Sequence, residues 1–375
     1  MKPTLFIAGN FPPPVTGQTV ATARLVSLLA SQFETVAVPL NQEKPGKVRT
    51  RGGLTALSNA RHARASLQAS FAAHKPVAVL WPSVSPQLLG HARDRLAVLP
   101  HIPADIPILG VSHWGNFDSL FRRSLTRASG RRLVDRVHTF VFNTPGLGAK
   151  CQPWIPAHQQ TFIPNTVEEQ TLCSDAALAA KWANPPQDRP VRLLYLSNMI
   201  ISKGYLDVLE ALILLQQKGI RIEATFAGAW PSDLDRKGAE SVLIGNGLTD
   251  SVQFLGPVSD RATVKALLLD ADALAFPTYY PNEAHPVVIP EALNAGTPII
   301  STHHASIPEM IRDDKEGYLI PKKDPKALAF AIERATSMKN WERLSRQARA
   351  RFDTVFSPEA VGGMWTELIA RVVNL

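Results

Sequence analysis

The feature that most constrains this chain is a recurring unit. A short, nearly continuous apolar run leads into a loop rich in Gly or Pro, and a stretch with apolar residues at helical spacing follows. Thr4–Ala8, the loop Gly9–Gly17 and the stretch Gln18–Ser31, with Val20, Ala23, Leu25, Val26, Leu28 and Leu29, form its first copy. Runs apolar throughout suit parallel strands buried on both faces. Strand alternating with helix builds a doubly wound α/β sheet. Further strand runs stand at Val36–Leu40, Val77–Trp81, Ile108–Ser112 and Thr139–Asn143. They resume at Val191–Leu196, Ile222–Ala227, Val252–Leu255, Ala273–Pro277, Pro298–Ser301 and Glu316–Pro321. Residues 168–190 between the two series are polar and Pro-rich, and read as a linker. The first copy lacks G-x-G-x-x-G, so no dinucleotide fingerprint is supported.

Length and composition agree with two domains. The 375 residues are 45% hydrophobic and 19% charged, ordinary for globular protein. Cys151 and Cys173 make neither a disulfide framework nor a metal cluster, which favours a reducing setting. The apolar run at the N-terminus, Leu5–Ala8, is too short for a signal-peptide core or a membrane span. Charge divides unevenly. Residues 1–165 hold 18 Lys and Arg against 6 Asp and Glu, whereas the remainder is mildly acidic. A basic first half implies an anionic partner: nucleic acid, anionic lipid or a phosphorylated acceptor. The basic residues concentrate at 44–64 and in the amphipathic stretch 120–136 (LFRRSLTRASGRRLVDR), where Leu120, Phe121, Leu125, Leu133 and Val134 supply the apolar positions. No recognition motif for nucleic acid accompanies them.

Two carboxylates eight residues apart, Glu283 and Glu291, flank the expected start of a helix near Val287. That helix closes at Asn294-Ala295-Gly296. An N-terminus there would point its N–H groups beside Glu283, which suits an anion such as a diphosphate. Alone, such an acid is also explained as a partner for the helix dipole. The whole string is more specific. E-x7-E, then A-L-N-A-G-T-P-I-I-S and I-P-E at Ile307–Glu309, resembles the retaining GT-B glycosyltransferases of family four. Ala305 and Ser306 stand where that family often has two glycines.

The resemblance implies a GT-B fold: two Rossmann-like doubly wound domains facing a cleft. Residues 1–167 would be the acceptor side and 191–356 the nucleotide-sugar-binding domain. The terminal helix, within 357–375, would cross back to the first domain. It also implies roles. Glu283 would hold the donor sugar, Glu291 the nucleotide ribose and Lys203, in I-S-K-G, the donor diphosphate. Asn198 occupies the position of the family's usual arginine, so one phosphate contact would be a hydrogen bond and not a bidentate charge pair. His113, directly after the strand Ile108–Ser112 in H-W-G-N-F, resembles the histidine that contacts the sugar near the reacting carbon. Gly17, Val258, Ala284, His285, Val287 and Val288 complete the implied donor contacts. Gly17 reads equally as a plain turn glycine.

The implied activity is metal-independent transfer of a hexose from a nucleotide diphosphate sugar, with retention, to an acceptor on a lipid-linked or cell-surface polysaccharide intermediate. No cofactor beyond that donor is expected. Asp270-Ala271-Asp272 mimics a D-x-D metal motif but precedes a strand, and His303-His304 lacks a third ligand. The expected place is the cytoplasm, peripheral on the inner face of the cytoplasmic membrane through 44–64 and 120–136. A sugar-nucleotide epimerase and a non-catalytic GT-B protein that binds nucleotide sugar stay open as alternatives.

Overall fold

The computed structural model describes residues 2–13, 17–41 and 53–374. Of the basic stretch 44–64, the residues before Gly53 lie outside the described residues, as do Pro14–Thr16 of the first loop. The chain forms two compact units, residues 1–165 with 358–375, and residues 166–357.

The first unit holds a parallel sheet of β1 (Thr4–Gly9), β2 (Glu34–Pro39), β3 (Ala78–Trp81), β4 (Ile108–Ser112), β5 (Thr139–Phe142) and β6 (Gln160–Phe162), in the order β2-β1-β3-β4-β5-β6. The second holds β7 (Val191–Leu196), β8 (Ile222–Ala227), β9 (Val252–Gly256), β10 (Ala273–Phe276), β11 (Ile299–Thr302) and β12 (Gly317–Ile320), also parallel, in the order β12-β11-β10-β7-β8-β9. Both are Rossmann-like doubly wound sheets, as the strand–helix alternation predicts. In the second, strand order reverses between β7 and β10, and ligand crevices open beyond the carboxyl ends of strands at such a reversal. Edge strand β6 has no clear signal in the sequence. It is three residues long and carries the half-exposed Phe162.

The terminal helix Pro358–Val373 belongs to the first unit. Its Val361, Trp365, Leu368 and Ile369 are buried in one cluster with Leu5, Ile7, Leu25, Leu109 and Val141.

Residues 168–190 are not a free linker. They contain the helix Asp175–Trp182 and pack within the second unit. The Asn294 side chain staples them from both sides, donating to Thr171 O at 2.9 Å and accepting from Cys173 N at 3.1 Å. Lys181 is buried, and its ammonium donates to Leu268 O, Ala271 O and Thr297 Oγ1 at 3.0, 2.8 and 2.7 Å. Burial pushes its pKa down to about 7. The polar composition that reads as a linker supplies caps for the second unit's own backbone.

Candidate active site

The loops leaving β7 and β10 meet at the reversal point of the second sheet. The first ends in a short turn, Ile201–Lys203, and then Gly204 at φ 84° opens the helix Tyr205–Gln217. That backbone favours glycine. A Cβ at 204 would also come within 2.4 Å of Pro277 O, so the two loops close up only because the side chain is absent. Tyr279 N donates to Ser202 O at 2.8 Å and joins them further.

This apposition brings Lys203 and Glu283 together. The Lys203 ammonium lies 2.6 Å from Glu283 Oε2, with the side chains 16% and 8% exposed. Thr278 Oγ1 donates to the same carboxylate oxygen at 3.1 Å. The ammonium sits 4.7 Å from the centroid of the Tyr280 ring and 5.5 Å from that of Phe276. A partly desolvated cation against aromatic faces is held in place without being fully neutralised.

The loop after β11 braces this arrangement. Thr302 Oγ1 donates to Thr278 O, His304 Nε2 donates to Tyr280 O at 2.7 Å, and Ser306 Oγ donates to Ala284 O. A carbonyl accepts only from a protonated ring nitrogen, so His304 Nε2 carries a hydrogen. The serine at the family's glycine position thus supplies a brace. Ala305, at the other, adopts φ 51°, the conformation glycine would take at no steric cost.

Glu291 lies in the helix Val288–Asn294, whose N-cap is Val287. It is buried and forms an ion pair with Arg261. Arg261 opens the helix Arg261–Asp270, capped by Asp260, whose carboxylate accepts from Thr263 N at 2.8 Å. Val258, on the way from β9 to that helix, and Val288 are half-buried against the same apolar cluster. Ala284 is half-buried, and His285 is buried with its ring 6.0 Å from that of Phe356. Asn198 Oδ1 accepts from Ala229 N at 3.2 Å, which ties the β7 and β8 loops and leaves its amide N–H groups as donors.

His113 and Gly17 belong to the first unit. Gly17 is the first residue of the helix Gly17–Leu29. His113 follows β4, half-buried, and its Nε2 has no hydrogen-bond partner among the described residues. Burial lowers its pKa to about 4, with the Asn143 side chain working the other way, so the ring is neutral at pH 7. A neutral imidazole accepts or donates hydrogen bonds without adding charge.

Asp270 and Asp272, the D-x-D pair, are engaged by arginines. Arg192 lies 2.6 Å from Asp270, and Arg189 bonds both Asp272 oxygens at 2.7 and 2.8 Å. Among the described residues no group of three or more His, Cys, Asp and Glu is placed to hold a metal ion. Nor, among these residues, is any helix long and apolar enough to cross a membrane.

Arg261, Thr278, Tyr280 and His304 carry no signal in the sequence. Arg261 lies thirty residues from its partner, and no local spacing reports such a pair.

Residues 179–351, which hold every candidate of the second unit, match the family model described as "Glycosyl transferases group 1". The fold is that of the GT-B glycosyltransferases. Sucrose-phosphate synthase from Thermosynechococcus elongatus superposes with a TM-score of 0.72 over 99% of both chains at 19% identity. HepE of Anabaena, in complex with UDP and glucose, gives 0.69 over 99% of this chain and 100% of its own at 15% identity. Among curated proteins, the amylovoran biosynthesis glycosyltransferase AmsK of Erwinia amylovora is 28% identical over 189 residues, 49% of this chain and 46% of its own. The putative colanic acid biosynthesis glycosyltransferase WcaL of Escherichia coli K12 is 28% identical over 179 residues, 46% of this chain and 43% of its own. The matched stretches span about half the length of these curated relatives.

Proposed function

We propose that this GT-B protein is a retaining, metal-independent glycosyltransferase. It moves a hexose from a nucleotide diphosphate sugar to an acceptor hydroxyl on a lipid-linked or cell-surface polysaccharide intermediate. The observation that carries this reading is the Lys203–Glu283 pair at the β7/β10 reversal point, with the Arg261–Glu291 carboxylate eight residues further on. The UDP and glucose of HepE and the polysaccharide roles of AmsK and WcaL support it.

In this reading Lys203 turns from Glu283 to the donor diphosphate, and Glu283 is released to accept from sugar hydroxyls. Asn198 donates to a phosphate oxygen. Glu291, oriented by Arg261, accepts from the ribose hydroxyls. The bond from the anomeric carbon to the diphosphate breaks and the acceptor oxygen bonds to that carbon on the same face. The acceptor proton passes to the departing diphosphate. Lys203 stabilises charge that grows as the diphosphate leaves, a role that requires no metal. His113, neutral, is the residue of the first unit assigned to the sugar. Gly17, Val258, Ala284, His285, Val287 and Val288 are assigned to shaping the donor pocket.

Incubation with labelled nucleotide sugars tests this. Slow donor hydrolysis that survives EDTA and is lost in Lys203→Ala and Glu283→Ala is expected. An isomerised donor would make the protein an epimerase, binding without turnover a non-catalytic GT-B protein. No binding would remove the reading, and loss in EDTA restored by Mg²⁺ or Mn²⁺ would remove its metal-independence. We also place the enzyme in the cytoplasm, peripheral on the inner face of an anionic membrane through the basic stretches 44–64 and 120–136.

A further inference from the structure

The loop leaving β10 closes on itself through Thr278, a residue with no exposed surface. Thr278 Oγ1 accepts from Tyr280 N at 3.2 Å. Tyr280 O in turn accepts from Glu283 N at 3.0 Å, and Thr278 Oγ1 donates to Glu283 Oε2 at 3.1 Å. The three bonds make a closed circuit that fixes Glu283 at its backbone and at its carboxylate. Ser202 O also lies 3.4 Å from the hydroxyl, but a hydroxyl has one hydrogen to give. The carboxylate is nearer and charged, so it takes that hydrogen.

The circuit is anchored from outside as well. Thr302 Oγ1 donates to Thr278 O, and His304 Nε2 donates to the Tyr280 carbonyl that Glu283 N also uses. Threonine is stiff at χ1, which restricts where a hydroxyl held at this backbone can point. Lys203, the other partner of Glu283 Oε2, is different: its ammonium ends a flexible four-carbon stem and is 16% exposed. A cation on such a stem is attracted to an incoming anion; a buried, uncharged hydroxyl is not. Both bonds to the carboxylate fall on Oε2. Oε1 takes no hydrogen bond among the described residues, so one oxygen is engaged and the other is open.

We propose that Thr278 is a positioning residue for Glu283: it holds Oε2 and thereby presents Oε1 to a hydroxyl of the donor sugar. The proposal rests on the functional reading above. It adds the group that keeps the carboxylate aimed once Lys203 turns to the diphosphate. Without the Thr278 hydroxyl, the glutamate would regain its rotamers at the step where it has to be ordered. Contacts to the diphosphate and ribose would remain, so turnover should fall more than donor binding. Thr278 has no exposed surface and touches no substrate; it acts through Glu283. A hydroxyl that served only to cap Tyr280 N would matter equally with or without the Glu283 carboxylate.

Two hydroxyl deletions of different shape test this, Thr278→Val against the parent and Thr278→Ala against Thr278→Ser. Urea unfolding of the full chain, with no ligand added, is measured for each variant alone and combined with Glu283→Ala. Loss of the hydroxyl should raise the unfolding constant at least about threefold less in the Glu283→Ala background than in the parent. Additive effects in both comparisons overturn the proposal. Hydrolysis of labelled UDP-glucose and GDP-mannose is then followed with Glu283 intact. In Thr278→Val and Thr278→Ala, kcat should drop at least about tenfold while the donor KM moves less than about threefold. Thr278→Ser should restore most of the turnover. A kcat that survives both deletions overturns the proposal, as does a loss that falls on KM alone. If the parent hydrolyses neither sugar, the functional reading fails for these donors, and the unfolding comparison still upholds or overturns the coupling of Thr278 to Glu283.

Discussion

Lys203 and Glu283 each hold the other in a site where neither is well hydrated. Removing one leaves an uncompensated charge, which in a buried pair costs about 3–5 kcal/mol and less here in proportion to the lysine's exposure. Lys203→Ala is therefore expected to lower stability modestly and kcat strongly, with donor affinity less affected. Steady-state kinetics beside a urea titration check this, and an unchanged kcat removes Lys203 from catalysis. Glu291 differs, since Arg261 already supplies its counter-charge. Glu291→Ala should weaken nucleotide-sugar binding by about 1.5–3 kcal/mol, the worth of hydrogen bonds to a charged acceptor. Unchanged affinity by calorimetry would take Glu291 out of the donor site. His113 makes a pH prediction. Its folded pKa of about 4 lies below the ordinary 6.5, so between these values the unfolded chain binds a proton that the native state refuses. Stability should be full above pH 6.5 and fall towards pH 4, with a slope of at most about 1.4 kcal/mol per pH unit from this residue. His113→Gln should flatten that part of the curve in urea titrations across pH.

At the scale of elements, the buried strands were legible because apolar residues on both faces leave little else for such a run to be. The terminal helix Pro358–Val373 falls within its expected 357–375, and the helix carrying Glu291 opens within one residue of its expected start. What could not be read was the pairing between elements. Arg261 meets Glu291 only because β9 and β10 lie in the same sheet, and three side chains of the β11 loop brace the β10 loop through backbone carbonyls. The exposure of Leu88, Leu89 and Leu96 was hidden for a related reason. Periodicity marks an apolar face but not which way it turns, and the bonds of buried His91 to Ser129 and of buried Asp94 to Ser85 and Arg93 decide that. The brace loop yields a prediction of its own. Ala305 sits at φ 51°, a conformation costing an alanine about 1–2 kcal/mol, part of which glycine's greater unfolded freedom offsets. Ala305→Gly should therefore stabilise the protein by up to about 1 kcal/mol in urea unfolding. A destabilised variant would mean that this backbone conformation is wrong.

At the scale of the whole molecule, the chain leaves its first unit at residue 165 and returns to it at 358, so the first core is completed by residues that follow the whole second unit. Trp365 is 3% exposed and packs in one cluster with Leu368, Ile369, Leu5, Leu25 and Leu109. The family model ends at residue 351, before this helix begins. The helix is thus a stability element of the basic unit and carries none of the second unit's candidate site residues. Trp365→Ala deletes a buried aromatic, which costs about 3–5 kcal/mol. The loss should be local, because the second unit's cores contain no residue of the terminal helix. Hydrogen exchange is the suitable measurement, since it reports opening segment by segment. Protection should fall across β1, β3, β4 and the helix Gly17–Leu29, while β7, β8 and β10 keep theirs. Uniform loss across both sheets would show that the two units unfold as one.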